Sequence, residues 1–142
     1  MMNAGVRTAT PADLDAIWPL VRAFATSFAP DRRRFETTFR AVLGDEAMLC
    51  LVAEHEKRVV GYLLANRHDT FFADAPVVWV EELMVDETVR RAGTGRRLMR
   101  AAEDWAHSAG AAYIALATRR ASGFYAGLGY EESATFFRKT LG

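Results

Sequence analysis

Val85-Asp86-Glu87-Thr88-Val89-Arg90-Arg91-Ala92-Gly93-Thr94-Gly95-Arg96 runs from the end of an apolar strand, through a basic turn bearing two glycines, into a helix. Glycine permits backbone conformations closed to other residues and lets a ligand approach the main chain. The free N-H groups at a helix start carry partial positive charge. A turn built this way suits phosphate, and Arg90, Arg91 and Arg96 add donors for a pyrophosphate. Two nucleotide signatures are excluded. A Walker loop needs Gly-Lys-Ser/Thr after four intervening residues, which is absent, and a dinucleotide fingerprint needs a third glycine where Leu98 stands.

Upstream of the turn, residues 77–85 are apolar at odd and even positions alike except for Glu81 and Glu82, the pattern of a central strand covered on both faces. Downstream, Leu98, Met99, Ala102, Trp105 and Ala106 form one apolar face of a helix over 94–108, which Gly110 closes. A strand over 112–117 follows, then a short helix over 122–128 stopped by Gly129, and two closing strands at 130–133 and 135–141. Towards the N-terminus, a strand at 6–8 precedes Thr10-Pro11-Ala12-Asp13, which joins an N-cap hydroxyl, a first-turn proline and an acidic residue. The helix it opens repeats Leu14, Ile17, Trp18, Val21, Phe24 and Phe28 on one face, with Pro19 set to divide or kink it. A second helix spans 31–43. Two β-rich runs, 48–54 and 58–67, flank His55-Glu56-Lys57 as a hairpin, and 68–76 reads as a surface loop. Hairpins mixed with crossover helices predict one α/β (α+β) domain over 1–142. Its mixed, mostly antiparallel sheet has about six to seven strands flanked by about four helices.

Eighteen basic and eighteen acidic residues balance, so net charge points to no nucleic-acid or anionic-membrane partner. The single cysteine allows no intrachain disulfide, and three scattered histidines lack metal-ligand spacing. With no long apolar span and no export signal, the expected address is the cytoplasm.

Arg-x-x-Gly-x-Gly, here Arg90 to Gly95 behind Leu83-Met84-Val85, closely resembles the acetyl-CoA-binding motif of the GNAT superfamily of N-acetyltransferases. Ala121-Ser122-Gly123-Phe124-Tyr125-Ala126-Gly127-Leu128-Gly129-Tyr130 resembles the family's second signature, and the element order matches over nearly the whole chain. The resemblance implies that the central strand splays from its successor and that the pantetheine arm lies in the gap, bonded to the backbone of Leu83, Met84 and Val85. The Val85 N-H would hold the thioester carbonyl, and Arg91, Ala92, Gly93, Thr94, Gly95 and Arg96 would hold the pyrophosphate. The family often places Asn where this chain has Thr118, a hydroxyl that replaces part of an amide's hydrogen bonding.

Acyl transfer to nitrogen needs a neutral amine, so a proton must leave, and a carboxylate is the natural acceptor. Glu81 and Glu82 lie on the expected acyl-bearing strand, where desolvation raises a carboxyl pKa. Simple alternation sends them to opposite faces, so one of them reaches the amine, with Glu82 preferred. Glu-Glu-Leu-Met-Val is similar to the Glu-Asp-x-x-Val pattern of the polyamine and thialysine acetyltransferases, while other branches use a glutamate where Trp79 stands. The bland reading pairs either glutamate with a nearby cation. Tyr125 matches the family tyrosine that protonates the departing CoA thiolate, or else it packs beneath the cofactor.

The resulting expectation is direct transfer of acetyl from acetyl-CoA to a small amine, polyamine or amino-acid-like, without a metal. Aminoglycoside or protein amines are the alternative acceptors, and a non-catalytic acyl-CoA sensor is the alternative class. The arginines of 90–100 as a nucleic-acid face would leave the paired glycines unexplained. Cys50, within an apolar strand, reads as a packed small hydrophobe rather than a nucleophile. Phe71 and Phe72 either shape a substrate mouth or fold onto the core. Edge strands near the C-terminus offer a route to a homodimer.

Overall fold

The computed structural model describes residues 5–90 and 92–142. Among them one sheet runs in the order β1 (Gly5–Thr8), β2 (Met48–His55), β3 (Arg58–Asp69), β4 (Pro76–Val85) and β5 (Ile114–Leu116). The first four strands are antiparallel neighbours, whereas β4 and β5 are parallel. A parallel pair cannot be closed by a hairpin, and α3 (Thr94–Ser108) makes the crossover. Helices α1 (Leu14–Phe24), α2 (Arg32–Leu43) and α4 (Ser122–Gly127) bring the described helices to the expected four.

Period-two alternation sorts the side chains into two cores. Leu49, Leu51 and Ala53 of β2 pack with Val60, Leu63, Val78 and Val80 beneath Leu98, Met99 and Ala102 of α3. Cys50, Val52 and Tyr62 point the other way, to Ile17 and Leu20 of α1 and Phe39 of α2. A ring contact of 5.2 Å between Trp18 and Phe35 ties α1 to α2, and Phe35 in turn stacks at 5.6 Å on Phe39 of its own helix. With both faces covered, the central strands need apolar residues at nearly every position, which is why 77–85 lacks a polar face.

Local chemistry sets the ends. Glu56 and Lys57 take φ of 50° and 62°, the left-handed pair that a two-residue hairpin between β2 and β3 demands. Asp13 is buried at the start of α1, where it accepts from the Thr10 amide at 2.8 Å and from both Arg7 guanidinium nitrogens at 2.8 and 2.9 Å. Pro19 does not divide α1, which continues through it and stops at Phe24, short of Phe28. The Asp31 carboxylate caps α2 by accepting from the Arg34 amide at 3.0 Å.

The C-terminal expectation is corrected. Residues 131–142 are exposed throughout and join no ladder among the described residues, so the sheet has five strands instead of six to seven. Composition makes 130–133 and 135–141 strand-prone. A strand exists only against a neighbour, however, and no described residue of the same chain supplies one.

Candidate active site

β4 is interrupted where its two glutamates stand. Leu64 pairs with Glu82 and Ala65 with Val80, so Glu81 is an extra residue in a β-bulge. The side chains confirm the count: Val78 and Val80 lie in the α3-side core, and the next residues to pack against it are Leu83 and Val85. Simple alternation, which predicted opposite faces for Glu81 and Glu82, therefore does not hold across this step. Glu81 is exposed and accepts from Asn66 Nδ2 at 3.0 Å. Glu82 is half-buried and accepts from the Tyr62 hydroxyl at 2.6 Å.

Glu82 and Tyr62 line a cavity of about 80 Å³ beneath α1 and α2, whose other walls include Phe35, Phe39, Val42 and Leu64. Burial pushes the Glu82 carboxyl above the usual range, the Tyr62 hydrogen bond opposes this, and the nearby Glu81 charge adds to it. Cys50 also faces this cavity, and burial pushes its thiol up to about 12, the behaviour of a packed side chain and not of a nucleophile. A wider, open hollow of about 450 Å³ lies between α1 and the β2–β3 hairpin, walled by opposed charges such as Asp13, Glu54, Lys57 and Arg58. Glu82 does not line it, and of its charged walls Asp13 and Glu54 accept from Arg7 while Arg58 donates to Asp86.

On its other side β4 is only partly covered. β5 pairs with Val78, Trp79 and Val80 and then ends, so 81–85 bond to β3 on one edge and to no described strand on the other. Backbone groups left this way require a partner. Beyond Val85, Asp86 caps a 3-10 turn (Glu87–Val89), accepting from the Thr88 amide at 3.0 Å, a bond that holds its carboxyl below the usual range. Arg90 Nε donates back to the Val85 carbonyl at 3.1 Å. Arg91 lies outside the described residues.

Gly93 has φ of 82° and caps α3, a conformation that favours glycine. The first intrahelical bond runs from the Arg97 amide to the Gly93 carbonyl, so helix geometry leaves the amides of Thr94, Gly95 and Arg96 without intrahelical acceptors. The Arg97 guanidinium donates to the Ala92 carbonyl at 3.1 and 3.4 Å and so braces the turn. A Cβ on Gly95 would stand 3.2 Å from Phe124 of α4 and 3.9 Å from Val85, so the end of β4, the start of α3 and α4 converge there. These features fit an acyl-CoA: backbone donors for phosphates at the helix start, and an unpaired strand edge for an amide-bearing arm.

Tyr125 is half-buried against the α3-side core, edge-on to Phe124 at 4.9 Å and to Tyr130 at 5.9 Å. Burial raises its pKa, so the phenol is protonated at neutral pH. It packs on the α3 side of the sheet, opposite the face that buries Glu82. Thr118 Oγ1 accepts from the Ala121 amide at 3.1 Å, which commits it to the turn into α4. Tyr62 and Asn66 were not foreseen, while Arg97 was read only within the basic cluster and Phe124 only within the second signature. Of these, Tyr62 carried a signal, because a hydroxyl in an apolar strand needs a partner. Phe71 and Phe72 do not fold onto the core; both are exposed, with Phe72 6.3 Å from Tyr113.

Residues 14–130 match the model of the acetyltransferase (GNAT) family. The chain belongs to that family. An N-acetyltransferase of Bacillus subtilis (strain 168), YhfO, itself named as uncharacterized, is 28% identical over 142 residues that cover 96% of this chain and 95% of the relative. A putative acetyltransferase from Agrobacterium tumefaciens strain C58 has the same fold, with a TM-score of 0.87 at 23% identity over 96% of this chain and 99% of that one. So does the aminoglycoside N-acetyltransferase AAC(6')-Iy in complex with CoA, with a TM-score of 0.84 at 19% identity, covering 99% and 97%. The described part of this GNAT chain has no helix long and apolar enough to cross a membrane.

Proposed function

We propose that this GNAT acetyltransferase, acting as one domain over 1–142, moves acetyl from acetyl-CoA to a primary amine of a small molecule by direct attack in the cytoplasm. The observation that carries this reading is a desolvated carboxylate, Glu82, on a strand whose opposite edge is unpaired and leads into a glycine cradle. Bound acetyl-CoA supplies an activated acyl group. The amides of Ala92, Gly93, Thr94, Gly95 and Arg96 hold its pyrophosphate, Arg90 and Arg91 add charge nearby, and the backbone of Leu83, Met84 and Val85 bonds the pantetheine arm. The Val85 amide stabilises the carbonyl oxygen as negative charge develops on it.

Glu82 takes the proton from the incoming ammonium, with its raised pKa bringing it closer to the amine's own. Glu81, exposed beside it, attracts the cation and keeps the Glu82 pKa high. Tyr125 donates a hydrogen bond to the departing thiolate, a role open to a phenol that stays protonated. Thr118 contributes by shaping the turn into α4. No metal enters the scheme.

The acceptor is a polyamine-like or amino-acid-like amine whose stem fits the apolar walls beside Glu82. The aminoglycoside-acting structural neighbour supports a second reading, an amino sugar acceptor. Calorimetry on the wild type and on Gly93→Trp tests the cradle: binding of acetyl-CoA is expected to vanish in a variant that stays folded. Turnover is then read as CoA release against a panel of amines. Retained binding with loss of turnover in Glu82→Gln and Tyr125→Phe supports an enzyme, whereas no release from any amine supports a non-catalytic acyl-CoA sensor. A folded wild type that binds no acetyl-CoA sinks the proposal.

A further inference from the structure

The cavity that holds Glu82 has a direction. Register places Cys50, Leu64 and Glu82 in one row across β2, β3 and β4, so its floor runs roughly 10 Å from the carboxylate to the thiol. One face of α2 forms the roof, with Phe35, Thr38, Phe39 and Val42 at helical spacing, and Ile17 and Val21 of α1 close it. Exposure is graded along the row: Thr38 is exposed, Val42, Leu64 and Glu82 are half-buried, and Ile17, Phe39 and Cys50 are buried. Glu82 thus stands towards the open end and Cys50 at the blind one.

The blind end has no group to receive a charge. The Tyr62 hydroxyl is committed to Glu82 at 2.6 Å, burial keeps the Cys50 thiol protonated, and among the described residues no buried side-chain nitrogen or oxygen lacks a partner. A second ammonium or a sugar hydroxyl drawn in there would shed its water with nothing in exchange, which is costly. Apolar carbon fits, and the space of about 80 Å³ holds on the order of five to eight water-sized groups.

We propose that this cavity takes the substituent of the acceptor amine, that the substituent is a single apolar stem of about four to six carbons, and that Cys50 is the wall that limits its length. The inference rests on Glu82 as the group that meets the amine, and it narrows the acceptor to a primary amine with a short aliphatic stem. Of the acceptors named above it favours the amino-acid-like one. A carbon branched beside the nitrogen can send an apolar branch inward and leave a charged one outside, whereas a linear polyamine would lead its next ammonium inward.

Straight-chain primary amines from ethylamine to decylamine, with putrescine as the charged match in length for pentylamine, test it by CoA release from acetyl-CoA. For the wild type, kcat/KM is expected to rise about 4-fold per carbon up to pentylamine or hexylamine and to fall beyond, with putrescine at least about 10-fold below pentylamine. Cys50→Ala should move the optimum about one carbon longer and Cys50→Val about one carbon shorter. A variant that merely folds poorly lowers every amine alike. Thermal melting with the same amines reads binding without turnover, because a bound amine raises the melting temperature. Melting shifts that peak at the same length without any CoA release would keep the cavity assignment and remove the catalytic reading. CoA release with no length optimum, equal values for putrescine and pentylamine, or an optimum that both Cys50 variants leave in place overturns the proposal, as does the absence of both release and melting shifts.

Discussion

Glu82 gives the site its expected pH response. Its carboxyl must be ionised to take a proton, and burial lifts its pKa, so the acid limb of kcat/KM should fall above the roughly 4.3 of an unperturbed glutamate. Glu82→Gln should remove that limb and lower kcat about 10²- to 10⁴-fold, the usual worth of a positioned base. Tyr62→Phe separates base from scaffold. The Tyr62 hydroxyl favours the ionised carboxylate, so its loss should move the acid limb to higher pH while leaving turnover above the limb largely intact. An unmoved limb in Tyr62→Phe would remove Glu82 from the base role. The pairing of these two side chains could not be read from the sequence. Tyr62 lies directly opposite Met84, and the extra residue at Glu81 hides which β4 side chains share its face.

At the scale of elements, α3 was legible almost to the residue, because its start is a glycine turn and its apolar face repeats cleanly over four turns. The start of α1 was legible as a cap, but its energetics were not, since Arg7 lies on a different element. The Arg7 guanidinium is the main cause that holds the Asp13 carboxyl below the usual range, with the Thr10 amide adding to it. Because the folded pKa is depressed, this stabilisation is present above the ordinary carboxylate pKa of about 4. It is lost as pH falls through the lowered folded value. Asp13→Ala should cost about 1.5–3 kcal/mol at neutral pH in urea unfolding, and the difference from wild type should shrink in acid. A constant difference across that range would assign the loss to packing.

Across the whole molecule, alternation and crossover logic were sufficient for the mixed sheet with helices on both faces, and they failed where pairing depends on something outside the local sequence. The strand-forming residues after Tyr130 are plain to read, but whether they pair is decided by which edge is available, and that is a property of the assembled sheet. The bulge belongs to the same scale. The pairs of β4 with β5 end at Val80, and the unmatched residue of β4 is the next one, Glu81. A bulge bends its strand, so the opening beside β4 is a matter of arithmetic: this strand is one residue longer than its antiparallel neighbour can match. Deletion of Glu81 restores equal counts and keeps Glu82 and Leu83 in phase with their neighbours, a change that no substitution imitates. The shortened chain should melt cooperatively near the wild-type temperature yet lose acetyl-CoA binding in calorimetry, because β4 then runs straight and closes on β5. The fold tolerates either parity there, and the site exists in only one of them.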